Sequence, residues 1–197
     1  MLTLILVRHA ATVANEAGLY IGRSESPLSL QGKEEARRLC KKLDKWQIQQ
    51  IYTSPAERVQ ETIKELMDKD IPVQVAQALH EINFGICEGK DFNWLKKNYP
   101  EEVTYMIKEG IAYRYPKGES LVMAHQRVAD WINEFLMNHQ SGTFLVAAHG
   151  GTIRCILSEL LVKKPSLHWH FKIDTATITI VSMNEGFPVI ESLNERC

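Results

Sequence analysis

The first residues of the chain are apolar at Leu2, Leu4, Ile5, Leu6 and Val7, a run of strand length that stops on Arg8 and His9. A second run of the same kind, "TFLVAAH", spans Thr143 to His149. Between them the period changes. In "PLSLQGKEEARRLCKKLDKW", Ala36, Leu39 and Leu43 recur at helical spacing behind Ser29, a suitable N-cap. "IQQIYTSPAERVQETIKELM" predicts a short strand running into one further helix, with Ser54, Pro55 and Glu57 as N-cap, N1 and N3 of a capping box. "IPVQV" (Ile71 to Val75) reads as a strand and "ALHEINFGICEG" as a loop. From about 91 to 119 there are only short helical pieces, broken at Pro100, Gly110 and Pro116. A long helix follows with Leu121, His125, Val128, Ile132 and Phe135 on one face; then come the Thr143 strand and a helix after Gly151. "TATITIVSM" and "FPVIESL" form a hairpin around Asn184-Glu185-Gly186. Strands alternating with helices predict a layered α/β fold with a mostly parallel sheet. Its length fits one domain over 1–197, with 91–119 as an irregular insertion.

Burying an unpaired charge is costly, so Arg8 and His9 need partners or a place where the strand leaves the core. The two histidines share a pattern: His9-Ala10-Ala11-Thr12-Val13 overlays His149-Gly150-Gly151-Thr152-Ile153 as H-x-x-T-aliphatic. Open α/β sheets bind ligands outside the carboxyl ends of their strands, where both histidines fall. Arg58 falls in the first turn of the second helix, where the dipole disfavours a cation by a few tenths to ~1 kcal/mol. A bound anion would offset that; so would solvent or a carboxylate. Two arginines with two histidines suit a phosphoryl group, because guanidinium forks bind its oxygens bidentately. A neutral imidazole can attack phosphorus and carry it as phosphohistidine, while a second one donates to the equatorial oxygens. Gly150 and Gly151 would let backbone approach an anion at a helix start, and Asn15 could orient a ring nitrogen or hold a phosphate oxygen. An alcohol leaving group needs a proton, for which Glu81 and Glu88 are the candidates. Glu88, beside Gly89, reads equally as a turn carboxylate.

Composition narrows the partners. A net charge of -1 carries no basic footprint for nucleic acid. The four cysteines are far apart, form no CxxC pair, and imply neither a zinc site nor a disulfide framework. The apolar start lacks a basic flank and is too short for a signal peptide or a membrane span. The expectation is a soluble cytoplasmic protein, monomer or homodimer, acting on a small phosphorylated metabolite with no nucleic-acid or membrane partner. His168 and His170 could chelate a metal only if extended, and no carboxylate or thiolate accompanies them in sequence. Arg23, Arg114, Lys117 and Arg154 either reach a substrate or are solvated charges. Phe92, Trp94, Tyr99, Tyr105, Tyr113 and Tyr115 concentrate aromatic residues in the insertion, either as a cap enclosing an aromatic group or as packing for short helices.

"LVRHAAT" with Asn15, "SPAERVQET", "LHEINFGICEG" and "VAAHGGTIR" occur in the order and rough spacing of the histidine phosphatase superfamily, also called phosphoglycerate-mutase-like, which the chain resembles over nearly its whole length. The resemblance implies a three-layer α/β/α sandwich with a mostly parallel central sheet. It also implies His9 as the phosphorylated nucleophile, Arg8, Arg58 and His149 as the phosphate pocket, and Glu81 as the proton donor. Asn15, Thr12, the Gly22–Arg23 loop and Gly150 would line the site, with no metal or cofactor. Ala10 departs from the commonest form, which has Gly after the histidine. Mutases of the superfamily are similar but longer. "GLYIGRSESPLSLQGKEEA" and "HWHFKIDTATITIV" are most similar to α-ribazole-5′-phosphate phosphatases of cobalamin nucleotide-loop synthesis. A broad-specificity phosphatase, a mutase and an inactive phospho-ligand binder are the alternatives.

Overall fold

The computed structural model describes residues 1–197. Chain order is β1 (Leu2–Arg8), α1 (Val13–Glu16), α2 (Leu30–Leu43), β2 (Gln50–Thr53), α3 (Glu57–Thr62), α4 (Lys64–Met67), β3 (Val73–Val75), α5 (Phe92–Asn98), α6 (Pro100–Glu109), α7 (Leu121–Asn138), β4 (Gly142–Ala148), α8 (Gly150–Val162), β5 (Thr177–Asn184) and β6 (Phe187–Arg196). One sheet runs β3-β2-β4-β1-β5-β6. β3, β2, β4 and β1 are mutually parallel, and β5 is antiparallel to both of its neighbours.

β1 lies inside this sheet, which is why its apolar run is continuous rather than alternating. Leu2, Leu4 and Leu6 join one core with α7 and α8, while Ile5 and Val7 join another with α2, α3 and α4. Two cores on opposite faces of one sheet make the three-layer α/β/α arrangement. Each fully buried Leu or Ile contributes about 1.5–3 kcal/mol, so these central strands are the most firmly held part of the molecule. The hairpin turns at Glu185 and Gly186, both at positive φ (51° and 81°), as a two-residue connection demands.

Three local expectations change, and one short helix is added. α1 is a single turn, capped reciprocally by Thr12 and Asn15, and too short to show a helical period. The third strand is three residues rather than five, at an exposed edge. The helix after β2 breaks at Ile63 into α3 and α4. At that break Thr62 Oγ1 donates back to Arg58 O (2.7 Å) and accepts from Ala10 N (2.9 Å), a side-chain competition that bends helices and here ties α3 to the end of β1. Ser54, finally, is not the N-cap of α3, which begins after Ala56 without a side-chain cap. Its hydroxyl is used elsewhere.

Candidate active site

The register of β1 against β4 pairs Arg8 with Ala148, and His9 N donates to Ala148 O at 3.1 Å. His9 and His149 therefore leave adjacent strand ends together, with ring centroids 5.2 Å apart. Both are buried. His9 Nδ1 lies 2.8 Å from Ala10 O. A carbonyl only accepts, so Nδ1 carries the hydrogen and the free lone pair sits on Nε2. Burial, reinforced by Arg8 and Arg58, pushes the His9 pKa well below the usual imidazole value, so the ring is neutral.

His149 is held by Ser54, whose Oγ is 2.8 Å from Nε2, and by Arg58 Nη2, 3.2 Å from Nδ1. Burial first, then His9 and Arg58, lower its pKa as well. Arg58 is 1% exposed. The cation that the α3 dipole disfavours is instead compensated by the loop before α2: Nη2 donates to Gly22 O (2.7 Å), Nη1 to Ser24 O (2.9 Å), and Glu25 stands 3.5 Å away. Arg8 Nη1 donates to Ile173 O at 2.6 Å. The Nε–H groups of Arg8 and Arg58 are both buried without a protein partner. Buried donors of this kind normally find an acceptor, and a phosphate oxygen fits both.

Glu81 accepts from Ile82 N through Oε1 and from Gly151 N through Oε2, each at 2.9 Å. A Cβ on Gly151 would come within 2.3 Å of Glu81 Oε1, so this glycine admits the carboxyl rather than a ligand. Thr152 Oγ1 donates to His80 O (2.9 Å), and Arg127 Nη1 donates to Ala78 O (2.5 Å), holding the Glu81 turn against α8 and α7.

Two cavities meet at Arg8. One, of about 590 Å³, is polar and bordered by Asn15, Glu16, Arg38 and Asp174. The other, of about 450 Å³, is mostly apolar and bordered by Glu81, Gly150 and Gly151, with walls from Tyr20, Phe84, Tyr113 and Tyr115. Tyr20, Phe84, Tyr115 and Tyr113 form a chain of edge-to-face rings with centroids 5.1–5.2 Å apart. Of the aromatic residues in the insertion, only Tyr113 and Tyr115 reach this wall; Phe92, Trp94, Tyr99 and Tyr105 are exposed.

Arg8, His9, Arg58, Glu81 and His149 thus converge as one constellation. Asn15 borders the polar cavity, with its Oδ1 engaged by Thr12 N and its Nδ2 left to donate. Thr12 differs from expectation: it is fully buried as the cap of α1 and borders neither cavity. Gly22 acts through its carbonyl on Arg58, and Arg23 points to Glu119 (3.8 Å); neither borders the two cavities. His168 is buried on a 3₁₀ turn with Nδ1 3.6 Å from Cys155 Sγ, not extended beside His170. Ser54, Thr62, Tyr20 and Phe84 were not singled out as site residues by the sequence. Ser54 carried a signal, but its place before Pro55 pointed to a cap.

A neutral strand-end histidine beside the guanidinium groups of Arg8 and Arg58, with the Glu81 carboxyl held at the Gly151 amide, defines a phosphoryl-transfer enzyme of the α/β class. The histidine phosphatase superfamily (branch 1) matches residues 4–196, and the chain belongs to it; it is a phosphatase. Phosphoserine phosphatase 1 of Hydrogenobacter thermophilus is 31% identical over 198 residues, covering 100% of this chain and 94% of that protein. The adenosylcobalamin/alpha-ribazole phosphatase of Escherichia coli is 28% identical over 192 residues, covering 97% and 95%. The crystal structure of the alpha-ribazole phosphatase of Shigella flexneri superposes with a TM-score of 0.90 at 27% identity, covering 99% of this chain and 97% of that one.

Proposed function

We propose that the protein hydrolyses phosphomonoesters through a phosphohistidine on His9 Nε2, without a metal, and that its substrate is α-ribazole 5′-phosphate. The observation that carries the mechanism is the His9 Nδ1–Ala10 O hydrogen bond, which leaves Nε2 as the nucleophilic atom. In the first step the Nε2 lone pair forms the N–P bond and the P–O ester bond breaks. The electron pair leaves with the alcohol oxygen, which takes a proton from Glu81. Arg8 and Arg58 hold the equatorial oxygens. His149, whose Nδ1 accepts from Arg58 Nη2 while its Nε2–H donates to Ser54 Oγ, keeps that guanidinium in place beside the phosphoryl group. In the second step Glu81 takes a proton from water as its oxygen bonds to phosphorus, and the N–P bond breaks to release inorganic phosphate and neutral His9.

The apolar cavity beside Glu81 supports an aromatic leaving group, because its wall of Tyr20, Phe84, Tyr113 and Tyr115 offers stacking and edge contacts; Arg154, also on its border, is the group there that would pair with a substrate carboxylate. The names of the E. coli and Shigella relatives point the same way; that of the Hydrogenobacter relative points to phosphoserine. The test is kcat/KM of EDTA-treated protein on α-ribazole 5′-phosphate, phosphoserine, 3-phosphoglycerate and a nucleoside monophosphate. A preference of ~100-fold for α-ribazole 5′-phosphate, about 2.7 kcal/mol of differential transition-state binding, is expected. A flat profile replaces this reading with a broad-specificity phosphatase, and loss of all activity with EDTA overturns the mechanism.

A further inference from the structure

Glu88 lies outside the reacting constellation, and both of its oxygens are occupied by backbone. Oε1 accepts from Gly22 N (3.1 Å), Arg23 N (3.0 Å) and Phe84 N (3.1 Å); Oε2 accepts from Gly22 N (3.0 Å) and Ser24 N (3.2 Å). Three consecutive amides, at positions 22, 23 and 24, converge on one carboxylate. This is a backbone nest that a protein could offer to an external anion and here fills with its own.

The peptide unit between Gly22 and Arg23 has a second partner. Its N–H points at Glu88 Oε1, and its C=O accepts from Arg58 Nη2 at 2.7 Å. Anion, peptide dipole and guanidinium are aligned head to tail, the arrangement in which each hydrogen bond polarises the next. The approach is tight: a Cβ on Gly22 would lie 1.8 Å from Ile82 O and 2.7 Å from Glu88 Oε1. Through Phe84 N the same carboxylate also ties this loop to the segment that carries Glu81.

We infer that Glu88 is a positioning residue that sets the phosphate-binding guanidinium of Arg58 through the Gly22–Arg23 peptide. The inference rests on the phosphatase reading, so its test reads binding of inorganic phosphate by calorimetry beside turnover of p-nitrophenyl phosphate. Glu88→Gln keeps the shape but turns an NH2 group toward amide donors. It is expected to weaken phosphate binding by about 10-fold or more, with the Arg23 N–H and Arg58 as intermediaries. In an Arg58→Lys background, where the forked geometry is gone, the same change should weaken binding by less than about 3-fold. Equal factors in both backgrounds, or unchanged phosphate binding in a Glu88→Gln protein that only melts lower, would overturn the assignment.

A second pair keeps Glu88 in place. Arg23→Pro removes the N–H whose peptide carries the Gly22 carbonyl on Arg58, and Arg23→Ala keeps it. Weaker phosphate binding in the proline variant is expected, and equal binding contradicts the relay. Wild-type protein that binds phosphate but hydrolyses no ester would sink the catalytic reading while leaving the Glu88 comparison intact. Failure of the wild type to bind phosphate would remove both.

Discussion

Three imidazoles, those of His9, His149 and His168, are all but fully buried, and each has its pKa lowered chiefly by burial, His168 to about 3. In the unfolded chain each titrates near 6.5. Between those values the unfolded state binds protons that the folded state refuses, so stability is full above about pH 6.5 and falls as the pH falls. The magnitude from pH 7 to pH 5 hardly depends on how low the folded values lie. His168, at about 3, loses about 1.8 kcal/mol over this range, and His9 and His149, both held well below the usual imidazole value by burial, lose stability in the same direction. His80, pushed to about 4 but only partly buried, adds a smaller amount. Asp174 does not confuse the window. Burial would raise its pKa, but Arg196, Asn194 and Lys172 outweigh that and hold it at about 2, so its contribution is lost only at much lower pH. A domain of this kind is stable by about 5–15 kcal/mol in total, so the loss is large. Urea unfolding at pH 7 and pH 5 measures it, and His168→Phe, which cannot titrate, should remove about 1.8 kcal/mol of the difference. A wild-type difference below about 1 kcal/mol would refute the neutral, buried assignment of these rings.

The same depressed pKa places the acid limb of kcat/KM attributable to His9 well below 6.5, so substrates titrated separately should show activity persisting into mildly acidic pH; an enzyme limb at 6.5 contradicts this. Ser54→Ala leaves His149 Nε2 unpaired in the core, and should cost about 1–3 kcal/mol of stability and lower kcat/KM at least about tenfold, with partial recovery in Ser54→Thr. Glu81→Gln should slow alkyl phosphates more than p-nitrophenyl phosphate, whose leaving group needs little protonation; equal slowing of both would remove Glu81 as the acid.

The parts of the fold and site that were legible in the sequence are those written locally. β1 and β4 announce themselves as apolar runs because they are buried on both faces, and the residues that end them, Arg8, His9 and His149, lie beyond the last apolar position. Arg58 and Glu81 were legible as charges in short motifs. What escaped depends on partners far along the chain. Ser54 has the sequence position of a cap, but its hydroxyl belongs to His149, 95 residues away. Thr12 looks like a ligand by its match to Thr152, and both hydroxyls serve backbone instead. Glu88 reads as a turn carboxylate until the amides of residues 22 to 24 are brought against it from 64 to 66 residues away. The aromatic insertion divides into two wall residues and four exposed ones, a division that composition cannot make because it follows how Leu95 of α5 and Val103 of α6 pack with Cys87 against Tyr20, Phe84 and Tyr115.

Catalysis turns on one atom, His9 Nε2. Rapid quench of the enzyme with a phosphomonoester into alkali, digestion, and mass spectrometry against the two phosphohistidine isomers would identify it. Phosphate on the His9 peptide as the Nε2-linked isomer, absent in His9→Ala, is the predicted result. Phosphate on Nδ1, on His149, or on no residue during steady turnover would contradict the account.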